Sequence, residues 1–137
     1  MNTARLHIRS SADAAAGYFS EWLGGRTPKA DVEEHPNGWT TFELSGFSLD
    51  GVGEAEWLRL GARADILFET FSTSLLSGEL VLIMSGKVQR HLLIDSDNPE
   101  MEKNAGRLRY EEQNPLTEWT DIWTFVEDWY WEAEVDA

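Results

Sequence analysis

Three histidines, His7, His35 and His91, are the side chains of this 137-residue chain best suited to move protons near neutral pH. They lie far apart in sequence, so they form an acid/base centre or a zinc site only if the fold gathers them, and no H-E-x-x-H spacing places two on one helical face. Carboxylate pairs such as Glu33 with Glu34, or Glu54 with Glu56, have the chemistry for proton transfer or glycoside cleavage. With 25 acidic residues in the chain, however, such pairs arise by number alone. The run Asp95-Ser96-Asp97-Asn98 opens like a calcium loop, but Pro99 stands where the third ligand belongs and Glu100 where the loop needs glycine, which leaves an Asx-rich turn. Gly51-Val52-Gly53 lacks the third glycine of a phosphate cradle and reads as a loop. No cysteine is present, which removes disulfides, thiolate metal sites and cysteine nucleophiles together. These residues assign no catalytic group, no metal and no cofactor, and the chain is expected not to be an enzyme. The opposing expectation, a small enzyme working through a carboxylate and a histidine, requires a concave pocket in which His35 or His91 meets a carboxylate with a perturbed pKa.

Charge discriminates more. The formal net charge is -14, from 25 acidic and 11 basic residues. A field of that sign repels nucleic acid and anionic membranes and draws basic partners. The basic residues form no cluster beyond Arg107-Leu108-Arg109, so no phosphate-binding face is expected. Beyond Arg109 there is no Lys, Arg or His, while nine of the acidic residues and four of the seven tryptophans follow. Acidic tails that stay disordered are poor in aromatics, so this one is expected to fold. From Asn114-Pro115 or Thr117 onward, Trp119, Ile122, Trp123, Val126 and Tyr130 recur at helical spacing. Trp119, Ile122, Trp123 and Val126 are expected to face the core, as are Trp22, Trp39 and Trp57. That leaves Asp121, Glu127, Asp128, Trp129, Trp131, Glu132 and Glu134 as the candidate partner-binding surface, since hot spots favour aromatics and carboxylates attract a basic partner.

The elements that would position these groups follow from periodicity. Ala4 to Arg9 alternates, with Leu6 and Ile8 opposite Arg5, His7 and Arg9, and predicts a half-buried strand. Ser10 or Ser11 can cap a helix from Ala12 to Leu23, which Gly24-Gly25 would stop. The polar stretch Arg26 to Gly38 reads as a surface loop. Trp39 to Leu44 is a strand with Phe42 and Leu44 facing away from Trp39, Thr41 and Glu43, Glu54 to Ala64 a short helix, and Ile66 to Phe71 a strand. The organising stretch is Glu79 to Asp95, a hairpin of two apolar runs around Ser85-Gly86-Lys87. Its first run, Leu80 to Met84, is apolar on both faces and belongs centrally in a sheet. In its second, Val88, Arg90, Leu92 and Ile94 are expected to share one face. A further short strand is expected around Leu108 and Tyr110. The whole reads as one α+β domain over residues 1–137, an antiparallel sheet of about four to six strands with a central meander, and two to three helices packed on it. No run approaches the ~20 apolar residues of a membrane span and no apolar leader follows Met1, so a cytoplasmic location is expected.

The order of strand, short polar turn, Arg-bearing strand and acidic turn is carried by Leu80 to Met84, Ser85-Gly86-Lys87, Arg90-His91-Leu92 and Asp95 to Asp97, with Asn114-Pro115 before Glu118-Trp119. It resembles small bacterial immunity proteins encoded beside polymorphic toxins, over roughly a third of the chain. The resemblance implies an α+β binding protein without enzymatic activity that occludes a basic surface or active site of a cognate protein toxin. An adaptor for another basic protein is the alternative on the partner's side.

Overall fold

The run Leu80–Met84 is apolar at every position and is satisfied only where both of its faces are covered. The computed structural model describes residues 2–27, 29–45, 49, 52–74 and 76–132, with the backbone alone for residues 2 and 128–132. In it, seven strands form one antiparallel sheet: β1 (Asn2–Ile8), β2 (Ala30–Glu34), β3 (Thr40–Leu44), β4 (Ile66–Ser72), β5 (Ser77–Met84), β6 (Lys87–Asp95) and β7 (Lys103–Gly106). Their spatial order is β2-β3-β1-β4-β5-β6-β7, so the expected meander runs from β4 to β7 and β5 lies between covered neighbours. Helices α1 (Ala12–Trp22) and α2 (Glu54–Gly61) cover one face, and α3 (Trp119–Glu132) the other.

Strand alternation divides the core between these faces. Val81 and Ile83 join Leu6, Ile8, Phe42, Ile66 and Phe68 beneath Phe19 of α1 and Trp57 of α2. Leu80 and Leu82 join Leu67 and Leu92 beneath Ile122, Phe125 and Val126 of α3. On the first face the rings of Trp22, Trp57 and Phe68 stack in series, with centroids 5.1 and 4.6 Å apart. Helix α1 begins where the Ser11 side chain accepts from the Ala14 N–H, and ends where Gly24 and Gly25 take φ of 77° and 92°, which L side chains rarely adopt. On the second face Gly78 of β5 lies under Trp119 and Ile122, and a Cβ there would stand 3.1 Å from the Trp119 Cβ, so glycine sets how closely α3 approaches.

Several expectations need correction. The sheet has seven strands rather than four to six, because both edges were missed. The stretch 26–38, expected as a loop, contains β2, whose residues are exposed apart from half-buried Ala30. An edge strand buries little and therefore lacks apolar alternation. Likewise β7 is exposed throughout, while Leu108 and Tyr110, expected in a strand, flank the start of a 3₁₀ turn (Arg109–Glu112) and reach the α3 core instead. A bulge between Leu82 and Ile83 pairs Ile83 with Val88 but Leu82 with Arg90. Val88 therefore points to the α1/α2 face, and Arg90, Leu92 and Ile94 to the α3 face. Of the Gly51-Val52-Gly53 loop, Gly51 lies outside the described residues, and Gly53 is the N-cap of α2.

Replacing Leu82 by Asp places an unpaired carboxylate between β5 and α3. The cost of several kcal/mol is a large part of a domain's total stability, about 5–15 kcal/mol, so the variant should lose its near-UV circular dichroism and its cooperative melt. A variant that keeps both would show that β5 is peripheral.

Candidate functional site

Alternation on β1, β3 and β4 brings polar side chains onto the α3 face of the sheet. Register sets His7 between Thr41 and Leu67, and Arg5 between Glu43 and Glu69. The side chains close into a chain of hydrogen bonds. Arg5 Nη2 donates to Glu69 Oε1 at 2.8 Å, and the other carboxylate oxygen, Oε2, lies 2.9 Å from His7 Nε2. His7 Nδ1 lies 2.9 Å from the Thr41 hydroxyl, which in turn lies 2.8 Å from His35 Nε2. His7 and Glu69 are buried, and Thr41 is 8% exposed.

The protons follow from the acceptors. A carboxylate only accepts, so His7 Nε2 carries a hydrogen, and burial, which lowers the His7 pKa, keeps the ring neutral. Neutral His7 then accepts at Nδ1 from the Thr41 hydroxyl, and Thr41 accepts from His35 Nε2–H. Burial also lowers the His35 pKa, against the pull of Glu33 3.8 Å from its Nδ1. Burial opposes the Arg5 charge too, but Glu69 and Glu127 outweigh it and raise the Arg5 pKa. Arg5 therefore stays cationic, and the His7–Glu69 contact is a neutral donor on an Arg-compensated carboxylate rather than an ion pair.

Arg5 ties this chain to α3. Its guanidinium stands 4.8 Å from the Trp123 ring centroid and 3.5 Å from Glu127 Oε1. Trp123, expected in the core, is 39% exposed and meets Phe71 edge-on at 5.2 Å. The buried stripe of α3 is Ile122, Phe125 and Val126, rotated from the expected one, and Trp119 stacks half-buried on Phe71 at 5.7 Å. Of the candidate surface, Asp121 accepts from the N–H groups of Thr117 and Glu118 at 2.9 and 2.8 Å and so caps the entry to α3. Glu127 is half-buried beside Arg5. Asp128, Trp129, Trp131 and Glu132 continue α3 in backbone, and their side chains, like the whole of Glu134, lie outside the described residues.

The three histidines do not converge. His7 and His35 share Thr41, whereas His91 is buried on the α1/α2 face with Nε2 2.8 Å from Glu79. Among the described residues no three histidine or acidic side chains are grouped to hold a metal. Asp95 accepts from the N–H groups of Asp97 and Asn98, both at 3.1 Å, and so closes the expected Asx turn on itself. Glu56 pairs with Arg59 at 2.9 Å on the helix surface. A cleft of about 360 Å³ lined by Trp22, Leu23, Arg26, Leu49, Val52, Gly53 and Glu56 lies beside α1 and α2 and holds no histidine. Glu69 and Thr41 were missed in the sequence, although Glu69 between Leu67 and Phe71 puts a carboxylate on an otherwise apolar strand face, and that was the available signal.

No family model, curated protein or solved structure matches the chain.

The depressed histidine pKa values predict the sign of the pH dependence. The unfolded chain takes up protons near the ordinary histidine value of 6.5, and folded His7 and His35 resist them. Their stability contribution is complete above that value and is lost as pH falls from it toward the lower folded pKa values. Urea midpoints measured between pH 8 and 5 should decline below about pH 6.5, and less steeply in His35→Gln. A flat profile over that window would mean that both rings titrate alike in the folded and unfolded chain, and a rise toward pH 5 that they are charged in the fold.

Proposed function

We propose that the chain is an acidic binding protein of the inhibitor type, which neutralises a cognate toxin by covering a basic surface or active site. The observation that carries this reading is an acidic rim on the α3 face. Asp31 of β2 stands directly across from Glu43 of β3, both exposed, with exposed Glu33 two residues along the same face. Like charges in facing positions destabilise a sheet, and a partner's cations would relieve them. Of the cations on this face, Arg5 is engaged by Glu69 and Glu127 and Arg90 by both oxygens of Glu111 at 2.9 Å, which leaves exposed Lys29, two residues before Asp31, against three carboxylates. Glu127 and Trp123 of α3 adjoin this rim through their contacts with Arg5, the cross-strand neighbour of Glu43. An adaptor for a basic protein that is not a toxin would use the same surface.

Charge-steered association gives the test. Screening is about 8 Å at physiological ionic strength, so the on-rate for the captured partner should fall steeply, roughly tenfold or more, as salt rises. Asp31→Asn/Glu43→Gln and Glu127→Gln/Asp128→Asn should flatten that dependence, and Trp129→Ala should raise the dissociation rate. Co-expression with a toxin encoded beside the gene should restore growth. Persistent growth arrest, with rates independent of salt, would reject the inhibitor reading.

One observation favours a second reading, an acyl-transfer enzyme. The Thr41 hydroxyl touches His7, which Glu69 orients, in the arrangement of nucleophile, base and orienting acid. On this reading the Thr41 oxygen attacks an acyl carbonyl, and its proton passes to His7 Nδ1 and from there to the departing alcohol or phenol. Water, deprotonated by the same nitrogen, then hydrolyses the acyl-threonine to release the acid and restore the hydroxyl. Turnover of p-nitrophenyl acetate that disappears in Thr41→Val would support it, and no turnover would remove it.

A further inference from the structure

Strand β2 stands at one end of the sheet, and among the described residues only β3 pairs with it. The direction of its backbone groups can be read from the flanking bonds. Ser45 N–H donates to the Lys29 carbonyl at 3.1 Å, and His35 N–H to the Trp39 carbonyl at 2.8 Å. In an antiparallel ladder hydrogen-bonded pairs recur at every second residue, so Asp31/Glu43 and Glu33/Thr41 are also such pairs. Residues 29, 31, 33 and 35 thus bond inward to β3, and Ala30, Val32 and Glu34 direct their N–H and C=O groups to the open edge.

Edges of this kind are usually protected by lysine, proline or a covering segment. Here the side chains flanking the open groups are selective. Asp31 and Glu33 point to the α3 face beside Glu43, and Val32, 52% exposed, points to the opposite face. A second copy pairing through β2 would bring acids against acids. An incoming strand of alternating basic and apolar residues would instead set its basic side chains on Asp31 and Glu33 and an apolar one on Val32.

Resting on the binding reading above, we infer that β2 is a docking edge for an extended basic segment of the partner, which adds to the sheet as an eighth strand with the pattern basic, apolar, basic. Main-chain bonds to Ala30, Val32 and Glu34 hold the segment, and the acidic rim selects its charge.

The test uses the peptide acetyl-Lys-Val-Arg-Val-Lys-amide, with acetyl-Lys-Pro-Arg-Pro-Lys-amide as a control of equal charge that cannot offer the ladder N–H groups. The first should slow amide exchange at Val32 and Glu34 in NMR and bind at least tenfold more tightly than the second. Val32→Pro removes one outward N–H without touching a bond to β3, and should abolish that preference. Asp31→Lys should weaken the first peptide about tenfold, and unchanged urea midpoints show that both variants remain folded. Equal binding of the two peptides, or no added protection on β2, overturns the docking edge. If a basic peptide then binds in a salt-dependent way with shifts on α3 alone, the acidic-binding reading survives without it. If no basic peptide and no basic partner binds, that reading falls as well. Concentration-dependent self-association lost in Val32→Pro would assign the edge to a second copy, through the exposed Lys103-bearing β7, and would also overturn the inference.

Discussion

The buried carboxylate of Glu69 is the constraint around which the rest of the structure is arranged. A lone carboxylate out of water costs several kcal/mol even after relaxation, and its neighbours are placed to offset that cost. Arg5 supplies the charge at 2.8 Å and His7 a neutral donor at 2.9 Å, both from β1. Each compensating group then constrains something further away. Arg5 lies against Trp123 and Glu127, so the charge that satisfies the sheet also orients α3. His7, kept neutral, accepts from Thr41, and Thr41 holds His35 at the end of β2. One carboxylate on β4 is thereby linked to the acidic edge on one side and to the acidic helix on the other.

The parts of this fold that were legible in the sequence are those where burial dictates residue type. Leu80 to Met84 had to be interior because both faces are apolar, and α1 announced itself by its cap, its aromatic stripe and its paired glycines. Strands β2 and β7 were illegible because edges bury almost nothing, and Lys103-Asn104-Ala105-Gly106 carries no pattern at all. The bulge that turns Val88 away from Arg90 is set by pairing with β5, which a strand's own alternation cannot reveal. Trp123 failed for a different reason. Helical spacing shows which residues share a stripe but not how far the helix is rotated on its sheet, and the Arg5 guanidinium holds Trp123 at the border of the core.

The candidate site was legible in its components and not in its assembly. His7 and His35 stood out by type, but their connection runs through Thr41, 34 residues from His7, and through Glu69, 62 residues from it. Contacts at that separation are made by strand order, and the order places β1 between β3 and β4. The acidity of the C-terminal stretch was plain from composition. That β2 and β3 add a second group of acids on the same face became visible only with the register that sets Asp31 against Glu43.

The two sets of charges differ in what they can do for the chain. Glu111 with Arg90 is buried, and buried Glu69 is met by half-buried Arg5; both pairs are compensated, so their energy is used inside the fold, where removing either partner of the Arg90–Glu111 pair would cost about 3–5 kcal/mol. Asp31, Glu33 and Glu43 are exposed, and their mutual repulsion works against the folded state while contributing no packing. A single lysine at position 31 would turn that repulsion into a cross-strand pair with Glu43 at no cost in burial. On the binding reading the absence of such a residue has a physical reason, since a cation supplied in cis would occupy the rim and weaken its attraction for a basic segment. Solubility alone gives no comparable reason, because a chain with a net charge of -14 would be about as soluble with one carboxylate on that rim replaced.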